Sequence, residues 1–113
     1  MTEQGLKYLF DIIRAIDLIG DFTSSINDFD EYTNDLKTQS AVERQLGIIG
    51  EAVNKYDLLF PESSLENAKK IIGFRNRLIH AYDAVDAAMI WVIIKKYLQP
   101  LKDEANALLI SNS

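Results

Sequence analysis

The chain contains no cysteine and only one histidine, His80, among its 113 residues. Because the chain has no thiols, the fold cannot depend on disulfide bonds and does not require an oxidising compartment. Thiolate metal ligands are excluded as well. A single imidazole also excludes a multi-histidine metal site within one protomer. With 48% hydrophobic and 26% charged residues, the composition is that of an ordinary soluble globular protein.

Long apolar runs are missing as well. The N-terminal segment MTEQGLKYLFDIIRAID interrupts its apolar residues with charges at helical spacing, so it predicts neither a signal peptide nor a membrane span. We therefore expect a cytoplasmic protein without membrane contact. The length predicts one domain over residues 1–113.

Positive charge is scarce overall but is concentrated in one segment. The net charge of -5 argues mildly against nucleic acid as a partner, because phosphate binding normally requires a basic face. Residues 69–80 nevertheless carry Lys69, Lys70, Arg75 and Arg77 without any acidic residue. A solvated helix face is the ordinary interpretation of such a cluster, and composition alone favours it.

Apolar residues recur with helical period along almost the whole chain. The first helix is predicted to end near Gly20 or Asp21, a short helix follows around Ile26 to Tyr32, and Pro61 ends the next long helix. No strand-like alternation occurs. The predicted fold is all-α, an up-and-down bundle of four to five helices.

Helix boundaries are suggested by capping residues and prolines. Ser40 with Glu43, and Ser63 with Glu66, have the spacing of capping boxes. We expect the first pair to lie at or near the start of a helix and the second pair to open one. Pro100 is expected to kink or end the last helix.

Glycines inside the helical patterns suggest sites of close packing. Each of Gly47, Gly50 and Gly73 costs about 1 kcal/mol relative to alanine in a helix interior. We expect another backbone to approach closely at these positions, although tolerated imperfection remains an alternative for any one of them.

The stretch GFRNRLIHAYD, residues 73–83, holds the most distinctive side chains. Asn76 and His80 are four residues apart and share a helix face, so the amide can orient the imidazole. Arg75 and His80 are five apart and point about 140° away from each other. A site that uses both would therefore be completed by a second copy of the helix across a two-fold axis.

The chemistry of RNA cleavage also indicates a dimer. Metal-free attack by a ribose 2′-hydroxyl needs one group to accept a proton, another to donate one, and a cation to stabilise the phosphorane. A chain with one histidine supplies two imidazoles only as a dimer. Spacing alone leaves simpler interpretations open: His80 as a residue that interacts with a helix C-terminal dipole, and Tyr82 as a packing residue with a hydrated hydroxyl.

A family resemblance favours the catalytic interpretation. Arg75, His80 and Tyr82 form an R-x4-H-x-Y pattern with Asn76 directly after the arginine, which resembles the signature of the HEPN superfamily and specifically of the HepT-like toxins. The segments YLFDIIRAIDLI, AVERQLGIIGEAV and FRNRLIHAYDAVD, and the late IW and LQPL, resemble the family's helices in the same order. The likeness covers nearly the whole chain.

The resemblance implies an all-α bundle that dimerises through the motif helix and acts as an endoribonuclease without metal or cofactor. By carry-over, Arg75 would stabilise the scissile phosphate, His80 would transfer protons and Asn76 would position them, with Arg77 in support. Glu51 resembles a family position whose carboxylate faces the motif helix and would hold Arg75; a surface glutamate is the equal alternative.

The resemblance also implies a partner. HepT-like toxins are usually encoded beside a minimal nucleotidyltransferase antitoxin, MntA, that transfers AMP to the motif tyrosine, here Tyr82. The added phosphates would block RNA entry. Two other functions remain open: a non-catalytic dimeric module that docks the nucleotidyltransferase, and a purely structural helical dimer in which Arg75 and His80 are replaceable.

Overall fold

A computed structural model describes residues 2–68, 71–73 and 87–112 of the chain. Within these ranges the backbone forms five α-helices, is also helical at residues 71–73, and contains no strand, which confirms the all-α fold. The helices are α1 (Glu3–Thr23), α2 (Phe29–Thr33), α3 (Leu36–Leu59), α4 (Ala87–Val92) and α5 (Leu98–Ser111). Two short 3-10 turns, Pro61–Ser63 and Glu66–Ala68, follow α3, and a π-helical segment, Ile93–Tyr97, joins α4 to α5.

The first helix follows its predicted pattern but is slightly longer. Thr2 caps its N-terminus, where the side-chain oxygen accepts a hydrogen bond from the Gly5 amide at 3.1 Å. The helix continues past Gly20 and Asp21 to Thr23, whose hydroxyl donates to the Ile19 carbonyl at 2.8 Å. Glycine at position 20 therefore does not end the helix.

The third helix starts at Leu36, four residues before Ser40, so Ser40 lies near its start but does not cap it. Asp35 is the N-cap: its carboxylate accepts hydrogen bonds from the Thr38 amide at 3.0 Å and the Thr38 hydroxyl at 2.6 Å. These hydrogen bonds lower the pKa of the Asp35 carboxyl. Ser40 lies one turn inside the helix, where its spacing to Glu43 has no capping role. The predicted stop is confirmed, since α3 ends at Leu59, two residues before Pro61.

Helix α1 packs against both α3 and α5. Lys7 shares a groove with Lys55, and Arg14 shares another with Arg44, so α1 and α3 run antiparallel. Apart from two tyrosine hydroxyls, the core between the helices is apolar, and no other polar or charged side chain is buried among the described residues. Its largest fully buried side chains are Tyr32, Tyr56, Leu9, Ile12, Ile19, Leu46, Ile49, Ile71, Ile90, Leu101 and Val42.

Pro100 does not end the last helical run, so that part of the prediction is wrong, while a kink at the proline stays a prediction. A proline ring clashes with the carbonyl of the residue four positions earlier, which here is Lys96 in the π-helical segment. The Leu98 amide bonds to the Ile93 carbonyl, five residues back, so the backbone is widened just before the proline. We attribute the uninterrupted run from Ala87 to Ser111 to this wider turn.

The glycines give a mixed result. A Cβ built at Gly47 or Gly73 meets no described atom within 4 Å, so the expected close backbone contact is wrong there within the described chain. Gly50 is buried on α3.

Candidate functional site

Most of the predicted site residues lie outside the described residues. Arg75, Asn76, Arg77, His80 and Tyr82 all fall within 74–86, so their mutual arrangement stays a prediction. The same holds for the two-fold arrangement of motif helices. The structure does describe the segments that lead into and out of this region.

Glu51 is the one predicted site residue that the structure describes. It lies on α3 with 55% of its side chain exposed, and its Oε1 is 3.1 Å from Lys55 Nζ. It lines a groove with Lys7 and Tyr8 of α1. Within one chain Glu51 therefore occupies a surface position, while its predicted contact with Arg75 lies beyond the described residues.

Two carboxylates from other helices hold the turn that precedes the motif. Glu104 of α5 accepts hydrogen bonds from the Glu66 amide at 3.1 Å and from the Asn67 amide at 3.3 Å, one to each carboxylate oxygen. Asp57 of α3 accepts from the Leu65 amide at 3.3 Å. Such amides at a helical start otherwise lack partners. The predicted capping box of Ser63 and Glu66 is therefore wrong, because distant side chains provide the caps.

The two carboxylates are close enough to influence each other. The pKa of Asp57 is raised, first by its partial burial and then by the negative charge of Glu104, while the hydrogen bond from the Leu65 amide opposes the shift. The turn is thus held by acceptors that repel each other. Sequence reasoning missed the hydrogen bond from the Glu66 amide to Glu104 because the two residues are 38 positions apart and no local spacing links them.

The described residues that flank 74–86 pack in the core. Before it, Ile71 is fully buried and Ile72 packs on the core cluster. After it, Ile90 of α4 is 1% exposed. The described residues on either side of the motif region therefore belong to the packed core of the bundle.

An aromatic cluster fixes the position of α4. The Trp91 ring lies 5.4 Å from the Tyr32 ring and 6.4 Å from the Phe29 ring, between centroids, so α4 is joined to α2. Lys95 Nζ lies 4.6 Å from the Trp91 centroid, within cation–π distance. These contacts occupy the tryptophan ring and give it a packing role.

Two tyrosine hydroxyls in the core have no hydrogen-bond partner among the described residues. They belong to Tyr32 and Tyr56, and both side chains are fully buried. Burial raises the pKa of each phenol, and for Tyr32 the nearby carboxylate of Glu43 adds to the effect. Neither position was singled out as a site from the sequence.

No helix in the described ranges is long and apolar enough to cross a membrane. Among the same residues, no group of three or more histidine, cysteine, aspartate or glutamate side chains is placed to hold a metal ion.

A family model described as "Ribonuclease HepT-like" matches residues 12–108 of the chain. The chain belongs to the HepT-like family. The matched range runs from α1 to α5 and includes residues 74–86, so the R-x4-H-x-Y pattern lies inside it. The resemblance inferred from the sequence is thereby confirmed at the level of the family.

Individual relatives agree with the family model. A Thermococcus cleftensis protein named "Probable ribonuclease HepT" is 40% identical over 106 residues, which cover 90% of this chain and 93% of that protein. A Methanocaldococcus jannaschii protein named "Putative RNase MJ1380" is 34% identical over 109 residues, covering 92% and 96% respectively. No solved structure gives a significant match. The HepT-like chain thus spans nearly the full length of these relatives.

Proposed function

We propose that this HepT-like protein is an endoribonuclease that cleaves RNA without a metal ion. The observation that carries the proposal is the intact R-x4-H-x-Y pattern of Arg75, His80 and Tyr82 within the region matched by the ribonuclease family model. The names of its relatives point to the same activity. RNA is then the substrate.

The proposed mechanism uses the chain's own side chains. The Arg75 guanidinium binds the scissile phosphate and stabilises the negative charge that develops on it. His80 accepts the proton of the attacking 2′-hydroxyl or donates one to the leaving oxygen, and the copy in a second protomer performs the other transfer. Asn76 orients the imidazole from the same helix face, and Arg77 adds positive charge beside the cleft.

We further propose that the active site forms between two protomers. The support is the angular separation of Arg75 and His80 on a helix, about 140°, together with the presence of one histidine per chain. Glu51 lies at the surface of α3, where it pairs with Lys55, and we expect its carboxylate to hold Arg75 in the dimer. Light scattering should detect a dimer, and activity per protomer should fall on dilution below the dissociation constant.

We propose that the protein is a toxin neutralised by modification of Tyr82. A cognate minimal nucleotidyltransferase would transfer AMP to the Tyr82 hydroxyl, with release of pyrophosphate from ATP. The added phosphates would repel RNA at the cleft. Mass spectrometry after incubation with partner and ATP should show AMP on Tyr82, and Tyr82→Phe should abolish the adduct.

A non-catalytic module that docks the nucleotidyltransferase is the second candidate, and the net charge of -5 favours it. Growth after induced expression separates the two. If the protein is a ribonuclease toxin, wild-type expression arrests growth, and His80→Ala at equal abundance does not. Harmless wild-type expression combined with tight binding of the partner would support the docking module instead.

A further inference from the structure

Two arginines from different helices face one surface groove, whose described lining residues belong to α1 and α3. The groove lies between α1 and α3, has a volume of ≈ 380 Å³, and is lined by Arg14 and Arg44 together with Asp11, Gln45 and Ile48 among others. The arginines are 30 positions apart in the sequence, so the antiparallel packing of the two helices brings them together. Both side chains belong to exposed residues.

Neither guanidinium has an acidic partner among the described residues. The one carboxylate in the groove, Asp11, is paired with Lys7 at 2.8 Å. Glu51 and Asp17 are paired with lysines in the same way. Arg14 and Arg44 take part in none of the ion pairs or hydrogen bonds of the described chain. In an acidic protein, two unneutralised guanidinium groups therefore converge on one groove.

The groove continues along the helix pair. Asp11 and Ile48 also line a second groove, which contains Lys7, Tyr8 and Lys55. From Arg14 to Lys7 the combined surface extends about 10 Å along α1, at 1.5 Å per residue. It thus offers the two guanidinium groups, unpaired in the described chain, at one end and, at the other, the Tyr8 ring beside lysines that are paired with Asp11 and Glu51. This combination suits a single-stranded nucleic acid, whose phosphates follow positive charge and whose bases stack on aromatic rings.

We propose that the α1–α3 groove binds the phosphate backbone of the RNA substrate, with Arg14 and Arg44 as its phosphate contacts. The guanidinium fork matches phosphate oxygens in pairs, which a lysine ammonium does not. The inference rests on the proposed ribonuclease function and adds a second binding surface outside residues 74–86. It explains how an acidic chain retains RNA whose scissile bond lies elsewhere.

The test compares two double variants of equal charge. Arg14→Gln with Arg44→Gln removes the groove cations, while Lys37→Gln with Lys96→Gln removes two exposed cations that line neither groove and make no ion pair among the described residues. The probe is a short fluorescent single-stranded oligouridylate with 2′-O-methyl groups, which cannot be cleaved by 2′-hydroxyl attack. Fluorescence anisotropy gives the affinity at several salt concentrations, and circular dichroism confirms the fold.

Each phosphate contact on a single strand contributes about 0.7 to the slope of log affinity against log salt. The arginine double variant should therefore lose about 1.4 of slope and bind roughly tenfold more weakly at physiological salt. The lysine double variant should keep most of the wild-type slope. Equal behaviour of the two double variants would overturn the groove as an RNA contact.

The experiment distinguishes a wrong groove proposal from a wrong ribonuclease proposal. If wild-type protein cleaves RNA and both double variants bind the probe alike, the ribonuclease stands and the groove proposal is wrong. If wild-type protein neither binds the probe at low salt nor cleaves RNA, the proposed function fails, and the groove is refuted as an RNA contact with it.

Discussion

Replacing Glu104 with glutamine tests whether distant carboxylates organise the start of the motif segment. The glutamic side chain on α5 accepts hydrogen bonds from the amides of Glu66 and Asn67, at 3.1 and 3.3 Å. Glutamine has the same shape but only one acceptor oxygen, and its NH₂ group would face a backbone N–H. Glu104→Gln therefore removes the charge and at least one of the two hydrogen bonds.

The expected loss follows from these two bonds. A hydrogen bond to a charged group contributes about 1.5–3 kcal/mol when well formed. Because the acceptor is partly exposed and both bonds are long, we expect the lower end, about 1–2 kcal/mol in total. In a chain of this size, a loss of 1 kcal/mol lowers the midpoint of thermal unfolding by roughly 4–8 °C.

Urea and thermal unfolding, followed by circular dichroism, measure the effect. The matched control is Glu62→Gln, which makes the same chemical change at an exposed residue of the neighbouring 3-10 turn. We expect the control to stay within about 0.5 kcal/mol of wild type. If Glu104→Gln is as stable as Glu62→Gln, the carboxylate does not hold this turn. At temperatures well below the unfolding transition, Glu104→Gln should already cleave RNA more slowly than wild type, because the motif follows the loosened turn.

Three further changes test the core and its titration. Tyr32→Phe should stabilise the fold by about 1 kcal/mol, because it removes a buried hydroxyl without a described partner; urea unfolding measures this. Leu46→Ala, at a side chain with 0% exposure, should cost about 2–5 kcal/mol in the same assay. Burial raises the pKa of Asp57 in the folded state above its ordinary value of 3.8. Protonation of Asp57 therefore stabilises the folded state, and this contribution is complete at pH values below 3.8. That contribution is lost as pH rises through the folded pKa, so the stability of wild type relative to Asp57→Asn should fall across this window.

Each of these predictions has its own control. Tyr8→Phe should bring no stabilisation, since the Tyr8 hydroxyl accepts a hydrogen bond from Gln4 at 2.8 Å, and a gain equal to that of Tyr32→Phe would argue against a cost of burial. Leu58→Ala, at 75% exposure, should be nearly neutral, and a loss similar to that of Leu46→Ala would contradict the packing argument. For Asp57, a stability difference that rises with pH would show that the hydrogen bond from Leu65 outweighs the burial.

Local patterns predicted the helices well where neighbouring residues decide the structure. The apolar stripe of α1 and the stop before Pro61 depend on residues within a turn or two, and both were predicted. The first residue of α3 was missed because the S-x-x-E spacing of Ser40 also occurs inside helices, while Asp35 makes the actual cap. A capping motif therefore identifies a helix better than it identifies the helix's first residue.

Long-range contacts were beyond sequence reasoning. Glu104 reaches Glu66 only because α5 packs beside the turn, and Arg14 meets Arg44 only because α1 and α3 are antiparallel. The π-helical widening before Pro100 likewise reflects how the backbone accommodates a proline that the surrounding packing keeps in a helix. For the motif itself, the residue types and their spacing in the sequence already indicate the proposed chemistry.

Cleavage of RNA in excess chelator tests the central claim most directly. A structured RNA is incubated with unmodified wild-type protein and, in parallel, with His80→Ala of equal purity and helicity. The account predicts metal-independent cleavage by wild type that is lost in the variant. Equal cleavage by both proteins, or none by either, would contradict a ribonuclease that uses His80.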